Sequence, residues 1–183
     1  ALVAATLAHD QGSEVLVVEK ADMLGGTTAV SGGAIWLPGN HHMVDAGIED
    51  SREAALAYIR RLTNGREPDP ELLEVFVDTA PEMLRYLEDH TPVRMHISPL
   101  PDYYWPWDIP GMVARPARAV EANPYPVGTE LPEWKDRIVS RGTLMSLGAA
   151  TTLTEDLAPR TPELEAELAR REAEDVRPKG AAF

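Results

Sequence analysis

Val15-Leu16-Val17-Val18-Glu19-Lys20, followed by Gly25-Gly26-Thr27-Thr28-Ala29-Val30-Ser31-Gly32-Gly33, is the stretch on which the fold reading turns. The short Val/Leu run predicts a buried strand over 15–19, because branched apolar side chains fit a pleated, covered surface. It ends on a carboxylate. In a dinucleotide-binding βαβ unit, the acid closing the second strand accepts hydrogen bonds from the adenosine ribose. The loop beyond it lacks Cβ bulk at Gly25, Gly26, Gly32 and Gly33, so its backbone can lie against a flat or phosphorylated ligand. That acid normally follows a glycine-rich turn by about 20 residues. Glu19 is already residue 19, so the expectation is that the first strand and its phosphate-binding turn precede Ala1 and that the chain is a fragment.

The helix expected over Leu2 to His9, rich in alanine and stopped near Gly12, suits close packing on a parallel sheet. Beyond the glycine loop, Asp50 with Glu53 predicts a capping-box start. Ala55, Tyr58, Ile59 and Leu62 then recur at helical spacing up to Asn64-Gly65. A longer helix is predicted from Pro70, with Leu72, Leu73, Phe76, Ala80, Met83, Leu84 and Leu87 on one stripe. Pro81 inside it predicts a kink or a break. Val93 to Ile97 alternates as a strand does. Residues 143–153 are weakly apolar and fit either class. Thr161 caps a last helix, Pro162 to Asp175, whose thin apolar side and glutamate-rich run predict a solvated face.

Between Pro99 and Pro132 prolines recur every few residues among Tyr103, Tyr104, Trp105, Trp107 and Tyr125. Such a segment forms neither a long helix nor a central strand. Aromatic bulk fixed by proline fits a ligand-pocket wall better than a linker.

Thirty acidic against 17 basic residues give a net charge of −13. That charge disfavours nucleic acid or an anionic membrane surface as partner. With no cysteine, disulfides, thiolate metal sites and a cysteine nucleophile are excluded. A reducing, cytoplasmic setting fits this composition. No apolar run reaches the ~18 residues of a membrane span.

Three runs together resemble the flavoprotein family of fumarate reductases and 3-ketosteroid dehydrogenases: Val17-Val18-Glu19-Lys20, Gly25-Gly26-Thr27-Thr28, and Ser31-Gly32-Gly33 with Ile35-Trp36-Leu37-Pro38-Gly39-Asn40. The Trp-x-Pro-Gly-Asn ending and Asp102-Tyr103-Tyr104 before Pro110-Gly111 resemble the 3-ketosteroid Δ1-dehydrogenase branch. Trp105 and Trp107-Asp108 depart from that pattern, and the likeness is thin after residue 111. Arg177-Pro178-Lys179-Gly180 resembles the point where the family chain returns to the flavin domain.

The resemblance implies an α/β fold: a partial FAD-binding Rossmann-like domain, without its first strand and glycine turn, carrying a helical and a proline/aromatic-rich insertion. The implied divisions are 1–50 for FAD binding, 51–98 helical, 99–160 pocket or cap, and 161–183 surface helix and return. FAD is the implied cofactor. Glu19, Lys20, Gly25, Gly26, Thr27, Thr28, Ser31, Gly32 and Gly33 are its candidate contacts. For Thr27, Thr28 and Ser31, capping a short helix is an equally compatible role. Tyr103 and Tyr104 are the catalytic candidates, with a packed aromatic loop as the plain alternative. The implied reaction is dehydrogenation of a 3-ketosteroid or similar cyclic ketone. A dicarboxylate-handling flavoprotein is the second reading, and a fragment inert by itself the third. His41-His42 is read as a helix start, since neighbours on a helix do not face each other and no third ligand lies nearby in sequence.

Overall fold

In the computed structural model, residues 1–104, 107–139 and 151–177 are described. The chain divides into two units, Ala1–Gly33 with Ala122–Phe183, and Ala34–Glu121. The first unit opens with helix α1, Leu2–Asp10, none of whose residues is buried. The strand expected over 15–19 does not form: residues 13–19 have no regular structure, and Leu16 and Val18 are 86% and 81% exposed. The reason is physical. A strand is stabilised by its ladder and by cover on its apolar face, and no ladder among the described residues engages this segment. A single parallel bridge joins Leu24 to Ile138, and α2, Gly26–Val30, follows.

In the second unit, β1 (Ala34–Trp36) leads through a Pro38-Gly39 turn into α3 (His41–Asp45). Asn40 caps α3, accepting from the Met43 N–H at 3.2 Å. Its amide also donates to the Leu37 and Ala117 carbonyls, and Asn40 is fully buried. Helix α4, Arg52–Thr63, is capped by Ser51, not by Asp50. Asp50 is drawn away by a buried arginine. At the other end Asn64 takes the left-handed conformation (φ 52°), which is how the Asn-Gly pair ends the helix.

Helix α5 runs unbroken through Pro81 from Pro70 to His90; the expected break is absent because its apolar stripe keeps both halves packed. Val77, Ala80, Leu84 and Leu87 are the buried positions. Leu72 and Phe76, expected on that stripe, are 60% and 39% exposed, although Phe76 stacks on Trp36 at 6.1 Å. Ala55, Leu56 and Val77 form a core against which Trp36, Ile59 and Leu73 pack.

Strand β2 (Met95–Ile97) falls within the stretch expected to be extended, and β3 (Ala119–Ala122) completes a sheet of order β1-β3-β2. β3 is therefore central, against the expectation of no central strand between Pro99 and Pro132, because residues 117–123 are free of proline and can donate to both neighbours. β1 and β3 are antiparallel, with Ile35 opposite Val120.

Back in the first unit, β4 (Tyr125–Pro126) precedes α6 (Val127–Glu130). Helix α7, Leu153–Leu157, carries a full capping box between Thr152 and Glu155. Thr161 caps α8, Pro162–Glu174, which buries none of its residues, as its thin apolar side leads one to expect. Strand β5 (Val176–Arg177) pairs antiparallel with β4. Trp105, most of the stretch 143–153 and residues 178–180 lie outside the described residues.

Candidate functional site

The glycine loop belongs to the first unit. Leu24 is fixed on both sides: its N–H donates to the Arg137 carbonyl at 2.6 Å, and its carbonyl accepts from the Val139 N–H at 2.9 Å. Gly25 then adopts φ 121°, and a Cβ built there would lie 2.6 Å from the Ala29 Cβ. Only glycine fits both the angle and the space. Gly26 also has a positive φ, 51°, but a Cβ there would meet nothing within 4 Å, so its backbone faces open space. Thr27 and Thr28 are exposed.

No side chain caps the start of α2, so Thr27, Thr28 and Ser31 do not serve that role. Ser31 instead closes the far end: its hydroxyl donates to the Thr28 carbonyl at 2.8 Å and accepts from the Gly33 N–H at 3.1 Å. Glu19 and Lys20 are exposed. One Glu19 oxygen accepts from the Ala21 N–H at 2.9 Å, which orients the carboxylate on the loop that leads to the glycines.

The second unit is organised around Arg118, which is 1% exposed. Its guanidinium donates to both oxygens of Asp50, at 2.9 and 2.5 Å, to Asp102 Oδ2 at 2.8 Å and to the Gly111 carbonyl at 2.8 Å. Burial by itself would lower the Arg118 pKa, but the hydrogen bonds and attraction of Asp50 and Asp102 outweigh it and raise it. The carboxylates have further duties. Asp102 accepts from Trp36 Nε1 at 2.7 Å and from the Val113 N–H at 2.8 Å. Asp50 accepts from the Gly39 N–H at 3.0 Å. The guanidinium carbon also sits 5.4 Å from the Trp36 ring centre, a cation–π distance.

This cluster holds the loop bearing the tyrosines. Tyr58 donates its hydroxyl hydrogen to the Tyr103 carbonyl at 2.7 Å. Burial, and then the charge of Asp102, push the Tyr58 phenol up to about 12. Tyr103 and Tyr104 themselves are 70% and 49% exposed. Tyr104 has φ 66°, an uncommon conformation for an aromatic residue. Its ring stacks on Trp107 at 5.0 Å and 6°. The result is an outward-facing aromatic surface on a frame tied at its main chain.

The third member of one constellation was missed in the sequence, where His41-His42 was read as a helix start alone. His41 and His42 do face each other, their ring centres 4.2 Å apart, and both reach Glu88, 46 or more positions along the chain. The rule for helix neighbours fails here because both sit in the first turn of a five-residue helix and converge on a partner from another element. No local spacing signals it.

Residues 1–165 match a family model described as an FAD binding domain. The chain is 41% identical over 143 residues to the 4-oxocyclohexanecarboxylate 2-dehydrogenase of Sinomonas cyclohexanicum, covering 78% of this chain and 24% of that protein. It is 38% identical over 125 residues to the 3-oxosteroid 1-dehydrogenase of Mycobacterium tuberculosis, covering 68% and 22%. Its structure superposes on the 3-ketosteroid Δ1-dehydrogenase of Sterolibacterium denitrificans in complex with 1,4-androstadiene-3,17-dione. The TM-score is 0.75 and the identity 32%, over 96% of this chain and 31% of that one. The chain thus spans about a quarter of the curated relatives it matches. The family model spans nine-tenths of the length, and the chain belongs to the FAD binding domain family.

Proposed function

We propose that this chain is part of an FAD-dependent dehydrogenase that introduces a C=C bond beside the carbonyl of a 3-ketosteroid or a smaller cyclic ketone. The observation that carries the reading is the outward-facing pair Tyr103 and Tyr104, with Trp107 stacked beside them, on a loop whose main chain is fixed by Tyr58 and Asp102. Flat, apolar rings with one or two carbonyls suit such a surface. The Mycobacterium and Sinomonas relatives are named for cyclic ketones, the second of which also carries a carboxylate.

The first-unit residues fit the cofactor. Gly25 and Gly26 present backbone without side-chain bulk, Thr27 and Thr28 bring exposed hydroxyls, and Glu19 an exposed carboxylate of the type that binds ribose. Lys20, Ser31, Gly32 and Gly33 complete the proposed contact set. The division into 1–50 for FAD binding, 51–98 helical, 99–160 pocket and 161–183 surface helix and return belongs to the same reading, as does a Rossmann-like character of the first segment. Bound FAD supplies the two-electron acceptor. The chain's own share is to present the ketone and hold a phenol where a proton leaves the carbon α to the carbonyl. The proton passes to the base, a hydride leaves the neighbouring carbon, and the substrate loses two electrons as the double bond forms.

The dicarboxylate reading needs arginines able to clamp carboxylates. Arg118 is fully committed to Asp50, Asp102 and Gly111, which leaves Arg115 as the remaining arginine between Pro99 and Pro132. Dye reduction by the complete protein with a 3-ketosteroid, a 4-oxocyclohexanecarboxylate and succinate in parallel tests the proposal. Turnover of either ketone and none of succinate is expected; the reverse pattern overturns it. In the same assay Tyr103→Phe and Tyr104→Phe separate the candidates: the catalytic phenol costs roughly 10²–10⁴ in kcat, the other little.

A further inference from the structure

A hydrogen-bonded cluster in the second unit has the donor set and spacing of a metal site. His41 Nε2 lies 2.6 Å from Glu88 Oε2. His42 Nε2 lies 3.2 Å from that same oxygen and 3.2 Å from Oε1. One ligand atom from each of the three falls within 4.8 Å of the others. The side chains are only 16%, 22% and 10% exposed, so two imidazoles and a carboxylate converge in a half-dry corner between α3 and the last turn of α5.

As a purely hydrogen-bonded group the cluster is incomplete. Both imidazoles compete for one carboxylate, and His41 Nδ1 is buried with no hydrogen-bond partner among the described residues. The carboxylate is also pre-oriented. Glu88 Oε1 accepts from the Met95 N–H at 2.7 Å, which leaves Oε2 turned to His41. Metal-ligating carboxylates are commonly held in this way by a second hydrogen bond.

We propose that His41, His42 and Glu88 bind a divalent transition-metal ion, Zn²⁺ foremost, with water in the remaining position. A tetrahedral ion with bonds of about 2.0–2.2 Å sets its ligand atoms roughly 3.3–3.5 Å apart. His42 Nε2 stands 3.2 Å from Glu88 Oε2, close to that spacing, and the His41 Nε2–Glu88 Oε2 separation has to open from 2.6 Å by about 0.7–0.9 Å, which side-chain rotation supplies. Two nitrogens and one carboxylate oxygen favour zinc over magnesium or calcium, which take all-oxygen shells. An access path exists: His41 also lines an open cavity of about 360 Å³ beside Pro81 and Tyr86. The ion would clip the start of α3 to the end of α5, and because the site is not preformed in the unfolded chain, its binding energy is folding energy. This site is independent of the dehydrogenase reading and uses none of its residues.

The test is a calorimetric titration of the complete protein, stripped with a chelator, using ZnCl₂ and then MgCl₂. One Zn²⁺ per chain, a rise in Tm on adding it, and no response to Mg²⁺ at the same concentration are expected. His42→Ala and Glu88→Gln, checked for folding by circular dichroism, should weaken zinc binding by at least about tenfold. Absence of stoichiometric zinc binding to the unmodified protein overturns the proposal, and so does zinc binding unchanged in both variants. Should neither variant fold, X-ray absorption of the zinc-loaded unmodified protein decides: two imidazoles and a carboxylate support the site, and any other ligand count rejects it.

Discussion

At the scale of single residues, Asp50 and Ser51 show how a tertiary partner overrides a local signal. Both can cap a helix, and Asp50 has the better capping-box spacing. The structure gives the cap to Ser51, whose hydroxyl accepts from the Ala54 N–H at 3.1 Å, because Asp50 answers to Arg118. The two substitutions therefore have different costs. Ser51→Ala removes one cap and is expected to cost about 1 kcal/mol in urea unfolding. Arg118→Ala leaves the Asp50 and Asp102 carboxylates buried without their cation, and a loss of about 3–5 kcal/mol is expected. Asp50–Arg118 pairing was unreadable in the sequence, since 68 residues separate the two. The caps themselves, Asn64-Gly65 and Thr161, were legible because their chemistry is local.

Tyr58 adds a pH dependence at the same scale. Its phenol is raised from 10 to about 12, so the folded state favours the protonated form. The stabilisation is complete below pH 10 and is lost as the pH climbs through about 12. A tyrosinate absorbance titration should show one phenol ionising near pH 12 together with a fall in stability. Tyr58→Phe should abolish that late ionisation and flatten the alkaline limb.

At the scale of elements, α5 and the 15–19 segment are instructive opposites. Pro81 removes the N–H that would bond the Val77 carbonyl, yet α5 persists because Val77 and Ala80 before it and Leu84 and Leu87 beyond it are buried. Pro81→Ala restores that bond while adding unfolded-state freedom, and a net gain of about 1–2 kcal/mol is expected by thermal unfolding. The segment 15–19 has the stronger intrinsic preference and no cover, and it stays irregular. Helices are legible because their hydrogen bonds are internal; a strand's partners lie elsewhere, and composition says nothing about whether they are supplied. The aromatic, proline-rich loop was legible as a segment with no long helix. Its anchoring by Tyr58 and Asp102 was not, because both bonds end on main-chain atoms whose positions no side-chain pattern encodes.

At the scale of the whole molecule, the Trp36-Leu37-Pro38-Gly39-Asn40 run has a structural reading. Trp36 donates to Asp102, Gly39 to Asp50, and Asn40 joins Leu37 to Ala117. The Trp-x-Pro-Gly-Asn run thus builds the second unit, while the glycine run lies in the first. Asn40→Ala is accordingly expected to lower the stability of the second unit by about 1–3 kcal/mol through unsatisfied buried carbonyls. Flavin content per folded protein should be unaffected; a primary loss of flavin, with the fold intact, would contradict this division of labour.

The way the tyrosine loop is held has a consequence for divergence. Its supports grip main-chain atoms: Tyr58 the Tyr103 carbonyl, Asp102 the Val113 N–H, Arg118 the Gly111 carbonyl. None of these bonds depends on what side chain stands at 103, 104 or 107. The tip can therefore change its residues without renegotiating the scaffold. The exposed aromatics of the tip can be exchanged one by one while Arg118 and its two aspartates stay fixed.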